Sequence, residues 1–325
     1  MPLDRAGHAA GEVQGAELSK DTSQRRIEWP TIGLLVVFVA AWGSVLRWHD
    51  AIPWPVEVAA LVYLGGLWMS LGHELLHGHP TRFTWVNTAL GSVPLAFWLP
   101  FARYKTLHVQ HHRSDLTDPE DDPESFYVPP SLWQGAPKWK RRYFLFLRTV
   151  PGRLTLGVPR GILRFWRREL RLIPQRAIVR AWVPHLAACG VFGWLLFGVV
   201  GISPWVYVLA FCLGGAACTQ LRSFVEHAAV ASGTRSAVVS ASPPMALLYL
   251  NNNLHHTHHA VPDLAWYRIP AKHRELGSDE LAAMGAGLYS GGYLEVVRSY
   301  FFTPFCQPDH PLSPGARPYG ARGIA

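Results

Sequence analysis

Four long apolar stretches constrain the fold of this chain more than any other feature of its sequence. Each approaches the roughly 20 residues that a helix needs to cross the hydrocarbon core of a bilayer. Charged residues make up only 16% of the chain, whereas soluble proteins carry about 25%. The sequence therefore predicts a multi-pass, all-α membrane protein whose spans cover residues 29–48, 53–72, 181–201 and 203–220.

The distribution of positive charge indicates which ends of these spans face the cytosol. Only short links join the spans within each pair, which predicts two helical hairpins with both chain termini on one side. Arg25, Arg26 and a basic block at residues 138–180, in which Glu169 is the only acid, lie on that side. Positive loops mark the cytosol, so we expect both termini to be cytosolic. Nucleic-acid binding is the weaker interpretation of such a block.

The chain divides into three parts by polarity. Residues 1–28 are polar and predict a flexible cytosolic tail without a signal peptide. Residues 29–300 form the membrane domain, and 301–325 a cytosolic C-terminal tail.

Within the domain, the apolar piece at 86–101 is too short to span and contains prolines, so we expect it to be re-entrant or interfacial. Residues 161–180 alternate apolar and arginine residues, which predicts an amphipathic helix on the membrane surface or an ordinary solvated helix.

Histidines recur in three clusters beside the predicted spans. The first reads HELLH from residue 73, the second HVQHH from residue 108 and the third HHTHH from residue 255. Residues four apart share one face of a helix, so the imidazoles of His73 and His77 can both point at one ion. A structural zinc closes with four ligands, and more histidines than that predict two ions. The candidate ligands from the clusters are His73, His77, His108, His111, His112, His255, His258 and His259.

The first cluster also has the form HExxH, the signature of zinc proteases with glutamate as general base. A protease needs only one further ligand and leaves the other two clusters without a role. A dimetal centre uses all three clusters, which favours it. A metal carrier is a third hypothesis.

The three clusters, in this order and spacing, resemble the membrane fatty acid desaturase and hydroxylase superfamily. The surrounding sequences GHELLHGHPTR, LHVQHHRSDLTDPEDDPES and NNNLHHTHHAVPDLAWYRIP fit as well, and the resemblance covers roughly residues 53–268. It implies four transmembrane helices under a cytosolic helical cap, with two iron ions (Fe2+) at their junction and O2 as co-substrate. It also implies that His227, near the end of the fourth span, completes the ligand set. His79 and His256 are additional histidines, and either could replace a named ligand.

Carboxylates are expected to orient the imidazoles of such a centre. The candidates are Glu74, Asp115, Asp118, Glu226 and Asp263, each of which could equally be a surface residue. The acidic run at 118–124 is expected to be mostly a solvated loop.

The resemblance implies O2-dependent oxidation of an unactivated lipid chain. Desaturation of a fatty acyl group is the first hypothesis; hydroxylation or ketone formation on a fatty acid, alkane, sphingolipid or carotenoid is the second. The chain has no dinucleotide fingerprint, iron–sulfur cysteine cluster or haem domain, so we expect an external ferredoxin or cytochrome with its reductase to supply electrons. The expected location is the bacterial inner membrane, with the active site facing the cytosol.

Overall fold

The computed structural model describes residues 27–313 of the chain. The predicted tails therefore lie outside the described residues, except for 27–28 at one end and 301–313 at the other. The α-helices of the described part, in chain order, are α1 (Trp29–Arg47), α2 (Trp54–Leu76), α3 (Thr84–Gly91), α4 (Phe101–His111), α5 (Pro130–Gln134), α6 (Lys138–Phe146), α7 (Val150–Gly152), α8 (Val158–Leu172), α9 (Arg176–Gly193), α10 (Pro204–Val206), α11 (Gly215–Arg222), α12 (Pro243–Leu248), α13 (His255–Ala260), α14 (Ile269–Leu276), α15 (Ser278–Ala283) and α16 (Gly292–Tyr300).

Shorter elements connect or follow some of these helices. A 3-10 turn at Trp266–Arg268 precedes α14. The two strands β1 (Val238–Val239) and β2 (Leu288–Tyr289) pair in parallel. Three stretches are π-helical. Arg153–Gly157 joins α7 to α8, Trp194–Val200 extends α9, and Tyr207–Gly214 joins α10 to α11.

Four helices in the described part of the chain are long and apolar enough to cross a membrane, as the sequence predicts. In chain order, the first to fourth spans are Trp29–Arg47, Trp54–Leu76, Arg176–Val200 and Pro204–Arg222. The mostly helical class is confirmed, and within residues 27–313 the strands are limited to one pair of two residues each.

Contacts between the ends of the spans show that the first two form an antiparallel hairpin. Glu28, before the first span, places its Oε1 2.7 Å from Nδ1 of His79, which follows the second. At the opposite end, Nε2 of His49 lies 3.3 Å from the carbonyl oxygen of Val200, where the third span ends.

The second span lies at the centre of the bundle. Within its most apolar 18 residues 61% are buried, against 11% for the third span. A Cβ at Gly65 would lie 2.1 Å from Phe211 O, and a Cβ at Gly215 2.5 Å from Gly65 C. Glycine at both positions therefore lets the backbones of the second and fourth spans touch, as small residues do between membrane helices.

The apolar piece at 86–101 forms a short helix and an irregular segment rather than a span. Side chains of other elements hydrogen-bond its carbonyl oxygens: Tyr207 Oη donates to Leu95 O at 3.2 Å, and Trp166 Nε1 donates to Trp98 O at 2.9 Å. Nε2 of His185 lies 2.7 Å from Phe97 O. Because Tyr207 and His185 belong to spans, these bonds satisfy an irregular backbone at membrane depth, where water cannot.

The amphipathic helix predicted at residues 161–180 ends earlier than expected. It runs over Val158–Leu172, and residues from Arg176 onward belong to the third span. Pro174 explains the boundary: Ile173 still has helical geometry, but proline has no backbone N–H to continue the helical hydrogen bonds. Glu169, the lone acid of the basic block, lies on the buried side: it accepts two hydrogen bonds from Arg103, at 2.7 and 2.9 Å, and one from Trp182 at 2.9 Å. This contact joins α4, α8 and the third span.

The packed structure continues beyond residue 300. Phe305 and His310 are buried. The backbone N–H of Val128 donates to Pro308 O at 2.8 Å, and His310 Nε2 lies 3.0 Å from Thr117 Oγ1. Residues 301–313 thus help to position the loop that follows α4.

Candidate metal centre

Nine histidines meet where the second span, α4 and α13 converge. They form a five-histidine group (His73, His77, His108, His112 and His258) and a four-histidine group (His111, His227, His255 and His259). Within each group, one ring nitrogen of every member lies within 4.8 Å of the others. The structure therefore brings together all nine residues predicted as ligands, in two sets that could each hold one metal ion.

Helical geometry explains how each HxxHH cluster serves both groups. On α4, His108 and His112 are one turn apart and face the five-histidine group, whereas His111 faces the other. On α13, His258 joins the first group and its neighbour His259 the second. The two groups are adjacent, since the rings of His112 and His259 lie 4.4 Å apart between centroids.

His227 reaches the four-histidine group from the chain after the fourth span. Its Nε2 lies 3.2 Å from Nε2 of His111 and 3.0 Å from Nε2 of His255. Its Nδ1 lies 3.2 Å from the carbonyl oxygen of Arg235. That contact turns Nε2 toward the group.

The spacing of the imidazoles fits metal coordination. With metal–nitrogen distances of about 2.1 Å, neighbouring ligands at right angles are roughly 3.0 Å apart. Nε2 of His108 lies 2.9 Å from that of His73 and 3.0 Å from that of His112. Among the described residues nothing hydrogen-bonds the buried Nε2 atoms of His77 and His259. A bound ion would satisfy both.

Acceptors behind the rings fix which nitrogen faces each group. Nδ1 of His111 lies 2.8 Å from Asp122 Oδ1, and Nδ1 of His108 lies 2.8 Å from Glu124 Oε1. Nδ1 of His255 lies 3.0 Å from Asn252 Oδ1. Such partners hold the imidazole with Nε2 toward the metal.

A family model described as fatty acid desaturase matches residues 48–290. This range contains both histidine groups. The chain belongs to the fatty acid desaturase family.

The chain is also similar to the beta-carotene ketolase of Paracoccus sp. (strain N81106 / MBIC 01143). The two are 26% identical over 250 residues, which cover 74% of this chain and 88% of the ketolase. These findings confirm the resemblance to the desaturase and hydroxylase superfamily and make the chain a membrane oxidoreductase of lipids.

The two additional histidines lie outside the groups of this desaturase-family protein. Nδ1 of His79 pairs with Glu28, and Nδ1 of His256 lies 2.9 Å from Ser278 Oγ. Next to His256, Thr257 Oγ1 lies 3.0 Å from both Ser278 Oγ and His273 Nδ1. These contacts tie α13 to α14 and α15.

Of the five predicted carboxylates, two have an oxygen within 4.0 Å of a ring nitrogen of the grouped histidines. Oxygens of Glu226 and Asp263 are 3.4 Å and 3.9 Å from Nδ1 of His255 and His77, respectively.

The other three predicted carboxylates bond elsewhere. Glu74 accepts a hydrogen bond from the backbone N–H of Trp266 at 3.1 Å. Asp115 pairs with Arg235, and Asp118 accepts from the backbone N–H of Glu120 at 2.7 Å.

The acidic run expected to be a solvated loop instead supplies Asp122 and Glu124 to the centre. Asp122 is 4% exposed, and its second oxygen accepts from the backbone N–H of Thr117 at 3.0 Å. The signal in the sequence was a dense set of carboxylates shortly after HxxHH, but its spacing did not indicate which of them would turn inward.

Burial keeps most of the imidazoles in the neutral form that binds metals. It lowers the pKa of His77 to about 4 and the pKa of His227 to about 3. Burial acts in the same direction on His111, but Glu124 and Asp122 outweigh it and raise the pKa of His111 to about 9. An ion must therefore displace a proton from His111, whereas it finds the other two imidazoles neutral near pH 7.

A cavity of about 450 Å³ adjoins the centre. Glu124, which holds His108, lines it, as does Tyr104, whose ring centroid is 6.0 Å from that of His108. Met69 of the second span and Trp98 of the irregular segment also line it. The cavity thus extends from a residue of the second span to the carboxylates that hold His108 and His111.

Proposed function

We propose that this protein oxidises C–H bonds of an apolar membrane lipid with O2, at two iron ions held by the two histidine groups. The observation that supports this most directly is the pair of adjacent, all-histidine ligand sets within the family match. Imidazole is a suitable ligand for iron. Iron and O2 would supply an oxidant that no side chain provides, while the protein holds the lipid in place.

The number of ligands favours this function over a zinc protease. A catalytic zinc uses three protein ligands, whereas the five-histidine group alone contains His73, His77 and three more imidazoles. Glu74, the expected base of a protease, hydrogen-bonds the backbone of Trp266.

Oxygen insertion into a carotenoid-like ring is the first candidate reaction. The relative that carries the name beta-carotene ketolase aligns with this chain over 88% of its own length. Desaturation of a fatty acyl chain is the second candidate, supported by the description of the family model. Both reactions would use the same histidines and cavity.

The electrons for either reaction would come from a separate ferredoxin- or cytochrome-type carrier with its reductase. We also propose that the protein lies in the bacterial inner membrane with the histidine groups at the cytosolic surface. The basic residues between the two hairpins support this orientation.

Expression in a bacterial host that makes beta-carotene, grown under oxygen-18, separates the two reactions. We expect labelled oxygen on the carotenoid; desaturation would instead give an acyl chain with an added double bond and no label. His111→Ala and His258→Ala, one from each group, are the controls and should abolish the product. If the wild type yields neither product while a carrier and reductase are co-expressed, the proposed function is wrong.

A further inference from the structure

An arginine-rich groove runs along the surface of α8, and the proposed function gives no role to two of its arginines, Arg167 and Arg171, which do not line the cavity beside the metal centre. It encloses about 790 Å³ and is open to the surroundings. Five arginines line it: Arg160, Arg164, Arg167, Arg168 and Arg171. The spacing of these residues places them side by side on α8.

The charge of the groove is not balanced within it. Of the described residues that line it, none is acidic. The single acid of α8, Glu169, is 2% exposed and bonds Arg103 and Trp182 on the opposite, buried side. Burial lowers the pKa of Arg164, and repulsion from Arg160 and Arg168 adds to this effect. Among the described residues, Arg167 and Arg171 therefore have no acid beside them in the groove, whereas the other three arginines also line the cavity beside the metal centre, to which the acidic loop contributes.

The rest of the groove is apolar. Leu156, Leu163 and Leu172 line it together with the ring of Tyr143. Leu156 and Leu163 are 45% and 48% exposed, and Leu170, which lies between Arg168 and Arg171 in the sequence but outside the groove lining, is 64% exposed. Exposed leucines beside arginines are typical of a helix that lies in the interface of a membrane.

The position of the groove next to the third span also indicates that it lies at the membrane interface. Helix α8 ends at Leu172, and the third span begins at Arg176. Trp182 of that span bonds Glu169 of α8, so the helix is held against the beginning of the span. Acyl chains can thus reach the leucines while phosphates stay at the level of the arginines.

We propose that this groove binds an anionic phospholipid, with the phosphodiester among the arginines and the acyl chains along the leucines. An acidic carrier protein would match the charge but would leave the leucines without an apolar partner.

The test compares lipids retained by the full-length protein after exchange into mild detergent. Purified wild type should keep phosphatidylglycerol, quantified by mass spectrometry, and added phosphatidylglycerol should raise its Tm. Phosphatidylcholine and inorganic phosphate should do neither. Phosphatidylcholine tests for a general lipid effect, and inorganic phosphate for a site that needs no acyl chains.

Arg167→Gln/Arg171→Gln is the decisive variant, because these two arginines line the groove and not the cavity beside the metal centre. We expect it to retain at least fivefold less phosphatidylglycerol. Arg167→Lys/Arg171→Lys, which keeps the charge, should retain at least half. Arg274→Gln/Arg298→Gln, with the same change of charge at exposed positions outside the groove, should behave as wild type.

Three results would overturn the proposal. The first is equal retention of phosphatidylglycerol by the wild type and the glutamine variant. The second is equal retention of phosphatidylcholine and phosphatidylglycerol by the wild type. In the third, the glutamine variant keeps its lipid but loses binding of an acidic ferredoxin, which would make the groove a protein docking surface.

Discussion

Several imidazoles of the centre are oriented through the nitrogen that faces away from the other histidines. The acceptors are of several kinds, including the carboxylates of Asp122 and Glu124, the side chain of Asn252 and the carbonyl oxygen of Arg235. Asp122 is buried with its partner His111, so this pair is the least accessible to water. The ligand geometry therefore depends on residues that hold no metal themselves.

Asp122→Asn should weaken metal binding, since an amide is a poorer acceptor for Nδ1–H of His111. Loss of such a partner typically costs about 10–100-fold in metal affinity or activity. Asp118→Asn is the matched control, because Asp118 lies in the same loop and accepts hydrogen bonds from backbone N–H groups instead. The measurement is the metal retained after titration with a chelator. Equal loss in both variants would contradict the assigned role of Asp122.

Glu74→Gln separates the oxidase from the protease hypothesis. The amide oxygen can still accept from the backbone N–H of Trp266, so we expect the variant to keep its metal within a few-fold and to retain measurable lipid oxidation. Assays of lipid product, metal content and cleavage of a transmembrane peptide check this. Cleavage by the wild type that disappears in Glu74→Gln, with one zinc per chain in both, would support the protease instead.

That these histidines come together could be predicted from the sequence, whereas their hydrogen-bond acceptors could be predicted only in part. Spacing on a helix indicates that His73 and His77 share a face, but it did not show that each HxxHH cluster divides between the two groups. The direction of the acidic loop depends on contacts that local spacing does not reveal. Thr117 adopts a left-handed φ of 78° and contacts His310, 193 residues away. The same long-range packing turns Asp122 and Glu124 inward.

The elements of the fold are held together by close contact between the second and fourth spans and by the buried Arg103–Glu169 pair. The four spans were predictable because each needs a long apolar run in one stretch of sequence. Their relative packing was not, since it depends on where glycines of different spans meet. Gly65 and Gly215 look like any other glycine in the sequence, and only the structure shows that they touch.

Gly65→Val should disrupt this contact. Its Cβ would meet Phe211 O at 2.1 Å, so the spans must separate; overpacking of this kind typically costs about 1–3 kcal/mol or more. We expect a lower Tm in detergent and less folded protein. Gly43→Val in the first span is the matched control, as nothing lies within 4 Å of a Cβ there. An equal drop in Tm for both variants would exclude the close approach as the cause.

At the scale of the whole molecule, the two hairpins bring the metal centre and the start of the first span to one end of the bundle. Glu28 contacts His79, two residues after His77 of the five-histidine group. The structure shows this common end, and the charge of the chain supplies the hypothesis that it faces the cytosol.

A topology reporter fused after Ala325 tests that hypothesis. Because positive loops stay inside, we expect the fusion to report a cytosolic C-terminus, and a second fusion within the link at residues 201–203 to report the opposite side. An extracytoplasmic signal from the C-terminal fusion would contradict the proposed orientation.

The metal content of the purified protein tests the central claim most directly. Our account predicts about two iron ions per chain, since each histidine group would hold one. His77→Ala, which removes a ligand of the five-histidine group alone, should reduce this number toward one while the four-histidine group keeps its ion. One metal ion per chain in the wild type, or zinc in place of iron, would contradict the account.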